Sequence, residues 1–291
     1  MKSLIIGMGI GQLYKTVLTN LGSEITTVDS DISKGADFPD VVSAVMARGP
    51  FDTAHICTPN FTHFQLAIKI AHDCKIVFIE KPGVATASNW MTLVHSFPDT
   101  RFMMVKNNMW RSNIKELLES AQSADRVRLN WLNQDRVPSP GSWFTTKKLA
   151  YGGVSRDLMP HLLSLYIALN PNWLTTAMND RSSLMRYHLK DLLNTEYGTV
   201  NLDGTYDVDD FAQIRFSNKW ELTADWRTLD KDKRNIEMDF GNSTFTHELG
   251  LCPEDAYERM IDDAVSNLTN DEFWNRHNTI DYWIHERMEN F

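Results

Sequence analysis

The first third of the chain alternates between two hydrophobic periods, and this alternation limits the folds that it can form. Apolar side chains at helical spacing occupy residues 10–21, 40–48, 62–72 and 87–96. Short apolar runs with the length of buried strands occupy residues 3–6, 24–28, 53–57, 75–79 and 102–105. Strands that alternate with helices predict a parallel sheet with right-handed crossovers, as in a doubly wound α/β domain.

After about residue 107 the pattern changes to that of a mixed domain. Helices are predicted at residues 113–121, 154–169, 254–267 and 278–288. Strands are predicted at residues 126–132, 210–217, 219–227 and 235–240, with a polar loop at 133–153. The predicted fold class is therefore α/β: a Rossmann domain at residues 1–107, followed by an α+β domain with an open antiparallel sheet at residues 108–291. A ligand is expected at the carboxyl ends of the parallel strands, facing the second domain.

Composition narrows the possible partners. The chain has 291 residues and a formal net charge of −9, which disfavours binding to nucleic acid or to an anionic membrane. No apolar stretch reaches the roughly 18 residues needed to span a bilayer. Cys57, Cys74 and Cys252 match no spacing of a metal or redox motif. The sequence predicts reduced thiols, a cytoplasmic location and no metal site.

The segment IIGMGIGQ at residues 5–12 lies between the first strand and the first helix. It approaches the dinucleotide-binding pattern G-x-G-x-x-G, with Gly7 and Gly9 in the first two positions. The third position holds Gln12, and a glycine stands one residue earlier, at Gly11. Because the first two glycines serve the turn and the phosphate contact, Gly7, Gly9, Ile10 and Gly11 are predicted to bind a dinucleotide at the helix N-terminus. A plain glycine-rich turn is the alternative.

An acidic residue follows the second strand, where such folds bind the adenosine ribose. Asp29 holds that position, with Asp31 close by. Two carboxylates would repel a 2′-phosphate, so the predicted cofactor is NAD, with NADP less favoured. A solvated aspartate in a β-turn is the alternative for Asp29.

Asp157 and His161 lie four residues apart in a segment that is otherwise apolar nearly all round. Spacing of four places both on one helix face, where a carboxylate and an imidazole must be paired or must line a cavity. Two interpretations remain from these residues: a core histidine satisfied by a local aspartate, or a catalytic pair in which His161 is a general base suited to neutral pH.

Three further stretches carry a family resemblance: CTPNFTH at 57–63, IEKPGVAT at 79–86 and GGVSRDLMPH at 152–161. Together with the glycine loop they resemble the Gfo/Idh/MocA family of sugar and cyclitol oxidoreductases. The resemblance runs in order through most of the chain, and beyond residue 170 it is architectural only. The irregular glycine loop and the short chain depart from the family pattern.

The resemblance implies roles for several residues. Thr58, Pro59 and Asn60 would line the cofactor near its ribose and nicotinamide, with His63 in a supporting role and Glu80 holding the lysine or the cofactor. Lys81 would hydrogen-bond the reacting hydroxyl, Asp157 would bind a substrate hydroxyl and bias His161, and His161 would accept the proton. This implied role favours catalysis over a core histidine. Gly152 and Gly153 would let the chain approach the nicotinamide.

Substrate recognition is predicted near the last Rossmann strand and in the polar loop. Asn108 and Arg111 follow that strand, where members of the family often contact substrate. Trp143 is a candidate for stacking on a sugar face or for anchoring the loop. Arg136, Lys147 and Lys148 lie in the same loop and would suit a phosphate or carboxylate, with a solvated loop as the equal alternative.

The predicted function is an NAD(P)-dependent oxidoreductase that moves hydride between a nicotinamide cofactor and a secondary alcohol or ketone of a sugar, cyclitol or sugar derivative. A catalytically inactive NAD-binding regulator of the same fold is one alternative, and a family reductase of a non-sugar substrate is another. The apolar strands of the second domain predict a homodimer or homotetramer through the C-terminal sheet.

Overall fold

A five-stranded parallel sheet with the strand order β2-β1-β3-β4-β5 organises the first part of the chain. Its strands are β1 (Lys2–Ile6), β2 (Glu24–Val28), β3 (Phe51–Ile56), β4 (Cys74–Ile79) and β5 (Arg101–Met104). Its connecting helices are α1 (Gly11–Asn20), α2 (Val41–Arg48), α3 (His63–Ile70) and α4 (Ala87–Ser96). The predicted Rossmann domain is confirmed, because these strands are buried, run parallel and are joined by helices.

The computed structural model describes residues 1–192, 199–228, 230–250, 254–289 and 291. The chain forms two units: Met1–Trp110 with Pro253–Glu289, and Arg111–Cys252 with Asn290–Phe291. Of the three cysteines, Cys57 and Cys74 are buried free thiols, and Cys252 lies outside the described residues. No described helix combines the length and the apolar character needed to cross a membrane.

The two C-terminal helices, α9 (Glu254–Ser266) and α10 (Asp271–Glu289), belong with the first unit. This differs from the predicted division, which assigned all of residues 108–291 to the second domain. The reason is the apolar face of α9, since Tyr257, Met260 and Ile261 join the core around Tyr14 and Leu18 of α1. Helix α10 packs against α4 and β5 in the same unit.

The second unit contains a six-stranded sheet with the order β11-β10-β6-β9-β8-β7. Its strands are β6 (Arg126–Gln134), β7 (Met178–Leu184), β8 (Phe211–Phe216), β9 (Trp220–Thr228), β10 (Lys233–Phe240) and β11 (Ser243–Glu248). Its helices are α5 (Ile114–Ser123), α6 (Lys147–Ala150), α7 (Val154–Asp157) and α8 (Met159–Leu169). The predicted antiparallel sheet is confirmed for its neighbouring pairs except β6 and β9, which run parallel.

One face of this second sheet packs against α8. Val127, Leu129 and Trp131 alternate along β6 toward the helix, and Leu222 and Trp226 do so along β9. The edge strands β7 and β11 were not predicted, because edge strands are polar and lack the apolar alternation of the inner strands.

The predicted single helix at 154–169 is divided in the structure at Leu158, between α7 and α8. Pro160 is the physical reason, since its ring removes the N–H that would bond four residues back. His161 instead donates its backbone N–H to the Leu158 carbonyl at 3.1 Å. Asp157 ends one helix and His161 lies in the first turn of the next, so the assumption that they share one continuous helix face is wrong.

Candidate active site

The structure of the loop after β1 explains the irregular spacing of its glycines. Gly7 has φ +94°, and a Cβ there would lie 2.8 Å from the Cys57 carbonyl oxygen. Gly11 is the first residue of α1, and its Cβ would lie 2.9 Å from Cγ2 of Ile5 in β1. Gly11 therefore permits the close helix–strand contact that the third glycine of the usual pattern provides.

Gly9 differs from its neighbours, because a Cβ at this position would have no atom within 4 Å. The absent side chain leaves open space at the amino end of α1, whose N-cap residue Ile10 has no side-chain hydrogen bond to the helix. The first N–H groups of a helix and its dipole attract phosphate. These residues fit the pyrophosphate of a dinucleotide.

Asp29 holds the glycine loop from the end of β2. Its Oδ2 accepts the Met8 N–H at 2.7 Å and the Lys34 ammonium at 3.0 Å, and its Oδ1 accepts the Asp31 N–H at 2.9 Å. Burial raises the pKa of the Asp29 carboxyl, but the hydrogen bonds from Met8, Asp31 and Lys34 outweigh burial and lower it. Asp29 is therefore ionised at neutral pH, and its ribose contact stays a prediction.

His63 joins the two loops that carry the family motifs. Its Nδ1 lies 2.7 Å from the Gly83 carbonyl oxygen, and its Nε2 lies 2.8 Å from that of Thr58. The ring is fully buried. Both nitrogens face backbone carbonyl oxygens, which supports the expected bracing role and does not support a direct hydrogen bond from His63 to a cofactor.

The other residues of the first motif form a tight turn at the end of β3. Thr58 and Thr62 share a hydroxyl hydrogen bond at 2.6 Å, and Thr62 also donates to the Pro59 carbonyl at 2.7 Å. Asn60 begins the short 3-10 turn that leads into α3 and is 9% exposed. The turn lies at the carboxyl edge of the parallel sheet, where nucleotide folds bind ligand.

Glu80 connects the glycine-loop helix to the second motif. Its Oε1 accepts the Tyr14 hydroxyl at 2.6 Å, and its Oε2 accepts the Lys81 N–H at 3.0 Å. Burial, followed by the charge of Glu80, raises the pKa of Tyr14, so this phenol remains a donor. Glu80 thus fixes the backbone of Lys81, whose side chain is half-buried at the carboxyl end of β4.

Helix α10 supports the same turn from the C-terminal part of the unit. His285 accepts the Val84 N–H on Nε2 at 3.0 Å and donates from Nδ1 to the Asp281 carbonyl oxygen, 2.6 Å away. A Cβ on Gly83 would lie 2.4 Å from His285 Nε2. Sequence reasoning missed His285, because nothing in the sequence links residues so far apart.

In the second unit, Asp157 and His161 are the two accessible side chains of a buried segment. These two side chains are half-buried, and all the remaining positions from residue 152 to residue 167 are buried. Trp226 donates its indole N–H to Asp157 Oδ2 at 2.9 Å. The ring of Trp131 stacks on His161 with centroids 4.9 Å apart. Two tryptophans of the sheet therefore hold the predicted catalytic pair in place.

Gly152 and Gly153 allow a close contact inside this unit. A Cβ on Gly153 would lie 1.8 Å from the Asp209 carbonyl oxygen. Asp209 also accepts the Gly153 N–H at 3.0 Å and the Ser155 N–H at 2.7 Å on its carboxylate. The close approach that these glycines permit is accounted for by Asp209, and an approach to a nicotinamide stays a prediction.

The predicted substrate residues have mixed surroundings. Asn108 is fully buried in the turn after β5. Arg111 begins the second unit and donates Nη1–H to the Leu249 carbonyl oxygen at 2.6 Å. Trp143 is half-buried and stacks on Phe144 with centroids 4.0 Å apart.

The basic residues of the polar loop contribute little to a defined anion site. Arg136 forms an ion pair with Asp232, and Lys147 and Lys148 are exposed. Among the described residues, no group of three or more metal-ligating side chains could hold a metal ion.

The amino-terminal part of the chain resembles a known protein family. Residues 2–106 match the model of the GFO_IDH_MocA oxidoreductase family, described as an NAD-binding Rossmann fold. A curated relative from Amycolatopsis mediterranei, a putative UDP-kanosamine synthase oxidoreductase subunit, is 31% identical over 136 residues. That alignment covers 45% of this chain and 37% of the relative, so the chain matches little more than a third of the relative's length.

Solved structures resemble the whole chain in fold. GenD2 from gentamicin A biosynthesis, solved in complex with NAD, is 16% identical with a TM-score of 0.72 and covers 99% of this chain and 94% of its own. A myo-inositol dehydrogenase from Corynebacterium glutamicum is 13% identical with a TM-score of 0.72 and covers 100% of this chain and 94% of its own. At these identities the likeness shows the fold alone.

Proposed function

We propose that this member of the Gfo/Idh/MocA oxidoreductase family is an NAD-dependent dehydrogenase acting on a secondary alcohol of a sugar, cyclitol or sugar derivative. The observation that carries the proposal is the pair Asp157 and His161, accessible on an otherwise buried segment and each held by a tryptophan. A carboxylate and an imidazole kept at the edge of an apolar core suit proton transfer.

The chemistry divides between cofactor and protein. When bound, the nicotinamide accepts the hydride that leaves the carbinol carbon. His161 accepts the hydroxyl proton from the same substrate group, and Asp157 binds a neighbouring hydroxyl. Lys81 keeps the role that the resemblance implies, donating a hydrogen bond to the reacting oxygen. The protein thus supplies position and a base, and the reverse reduction uses the same groups.

NAD is proposed as the cofactor in preference to NADP because two carboxylates lie after β2. Asp29 directly follows β2, its carboxyl is ionised, and Asp31 lies two residues later. Lys34 lies 3.0 Å from Asp29 and offsets part of this negative charge. The preference for NAD therefore rests on the remaining negative charge near the ribose position.

A sugar-like substrate is proposed from the relatives. The Amycolatopsis relative is described as a UDP-kanosamine synthase subunit, and the Corynebacterium structure as a myo-inositol dehydrogenase. Both names concern polyhydroxylated rings, whose vicinal hydroxyls match a site with one base and one additional carboxylate.

The experiment is a screen of free sugars, cyclitols and nucleotide sugars with NAD, followed by NADH absorbance. We expect turnover with at least one of these compounds and a fall of at least about 100-fold with the same compound after His161→Ala. Cofactor binding without turnover on any compound would contradict the dehydrogenase and favour the regulator of the same fold.

A further inference from the structure

Arg234 lies on the face of the second sheet that packs against α8. It stands on β10 directly opposite Trp131 of β6, and its guanidinium carbon is 5.2 Å from the centre of the Trp131 ring. The His161 ring stacks on the same indole at 4.9 Å. The cation and the proposed base therefore contact the same tryptophan.

The charge of Arg234 has no carboxylate partner within the described ranges 1–192, 199–228, 230–250, 254–289 and 291. Its Nη2 makes one long hydrogen bond, 3.4 Å to Asn133 Oδ1. Its Nε is buried and has no acceptor. A buried guanidinium N–H without an acceptor is unfavourable, and native proteins usually supply one.

Arginines on the opposite face of the same sheet provide the contrast. Arg126 pairs with Glu221 at 2.7 Å, and Arg128 pairs with Glu237 at 2.9 Å. Arg234 is half-buried, so solvent satisfies its charge only in part. Arg234 shares Trp131 with the candidate base and has no carboxylate partner among the described residues, whereas Arg126 and Arg128 have one, so its guanidinium fits a site for an anionic ligand group.

We propose that Arg234 binds a carboxylate group of the substrate, so that the substrate is an acidic sugar such as a uronic acid. This proposal rests on the dehydrogenase proposed above. The planar guanidinium presents parallel N–H groups that match the two oxygens of a carboxylate, and one cation balances one negative charge. Asn133 is 6% exposed, and its Oδ1 accepts the hydrogen bond from Arg234 Nη2 that helps to position the guanidinium.

The test measures binding, not turnover. Calorimetric titration of the NAD-loaded protein compares D-glucuronate with D-glucose, D-galacturonate with D-galactose, and UDP-glucuronate with UDP-glucose. D-Glucose 6-phosphate separates a carboxylate site from a phosphate site. We expect the carboxylated member of at least one pair to bind about tenfold or more tightly than its neutral partner.

Substitutions then assign the effect to Arg234. Arg234→Met is expected to remove the preference for the carboxylated sugar and leave neutral sugars unchanged, and Arg234→Lys to retain only part of it. Arg126→Met, on the opposite face, is the matched control and should keep the full preference. If Arg234→Met proves unfolded by circular dichroism, Arg234→Gln replaces it.

Three outcomes overturn the proposal: equal affinity within every pair, tighter binding of the phosphate, or an equal loss for neutral and acidic sugars in the variant. Because binding is measured without turnover, the two proposals fail separately. Oxidation of neutral sugars at a rate that does not change in the Arg234 variants would refute the proposed carboxylate site and support the dehydrogenase. Binding of the carboxylated sugar without NADH formation would support the carboxylate site and contradict the dehydrogenase.

Discussion

At the scale of single residues, Gly9 and Gly11 have different functions in the glycine loop. Gly9→Ala introduces a methyl group into open space, so stability should change little while NADH affinity falls at least about tenfold. Gly11→Ala presses on Ile5 and should lower the free energy of unfolding by about 1–3 kcal/mol. NADH titration and urea unfolding of both variants check this, and the opposite pattern would contradict the assigned roles.

His161 is the residue on which the proposed chemistry depends. Removing a general base typically lowers the rate by about 100-fold to 10,000-fold, so His161→Ala should lose that much in kcat. Because no cofactor contact is assigned to His161, NADH affinity should stay unchanged. His95→Ala, at an exposed position of α4, is the control. A kcat that falls by less than about tenfold in the His161 variant would refute the assignment.

Cofactor choice also belongs to individual residues. Asp29 at the ribose position predicts NADH binding at least about tenfold tighter than NADPH binding, because like charges repel the 2′-phosphate. Lys34→Ala removes the cation 3.0 Å from Asp29 and should widen that difference. Titration of both cofactors with both proteins measures it, and tighter NADPH binding by the unaltered protein would be the contrary result.

At the scale of elements, the segment directly after β5 and helix α10 are joined through a buried ion pair. Lys106 Nζ lies 2.6 Å from Asp281 Oδ1, and both side chains are fully buried. Asp281 also accepts the Met104 N–H at 3.1 Å. Burial raises the pKa of Asp281 and lowers that of Lys106, so each charge depends on its partner.

Removing one partner should therefore cost more than removing both. Asp281→Asn leaves a buried cation and should lower the free energy of unfolding by about 3–5 kcal/mol. The double variant Lys106→Met with Asp281→Asn should recover much of that loss. Urea unfolding of the single and double variants decides, and equal losses would show that the charges are not coupled.

Several elements were readable from sequence and others were not, for reasons of burial. The inner strands of both sheets carry apolar residues in a regular pattern, as in Leu222 and Trp226 of β9. The edge strands β7 and β11 have no buried face, so their sequences lack the alternation of apolar and polar residues. Pro160 is the sequence signal for the break at Leu158. Asn270 is the signal for the start of α10, which lies earlier than predicted, because its side chain accepts the Phe273 N–H.

The site could be predicted only as far as the motifs reach. Gly7, Asp29, Asp157 and His161 are predicted because local patterns mark them. Partners that the fold brings from distant parts of the chain were not found, namely Trp131 and Trp226, which hold the pair, and His285. Contacts between remote residues depend on tertiary packing, which no local pattern records.

At the scale of the whole molecule, association through the second sheet remains a proposal, and the structure changes its expected character. The face opposite α8 carries ion pairs in place of the apolar surface that was assumed. Arg128 pairs with Glu237 and Asp239, and Arg215 pairs with Glu221 at 3.0 Å. A polar interface of this kind should be sensitive to salt.

Light scattering in low salt should give two or four times the chain mass of 33.5 kDa, with dissociation as salt is raised. Thr223 lies in the middle of the same face, bonded to Gln213 at 3.2 Å, so Thr223→Glu should weaken association by adding a charge to each copy. Thr92→Glu, on an exposed position of α4, should not. A 33.5 kDa particle at every salt concentration would rule out this association, and an oligomer indifferent to both salt and Thr223→Glu would place the interface on another surface.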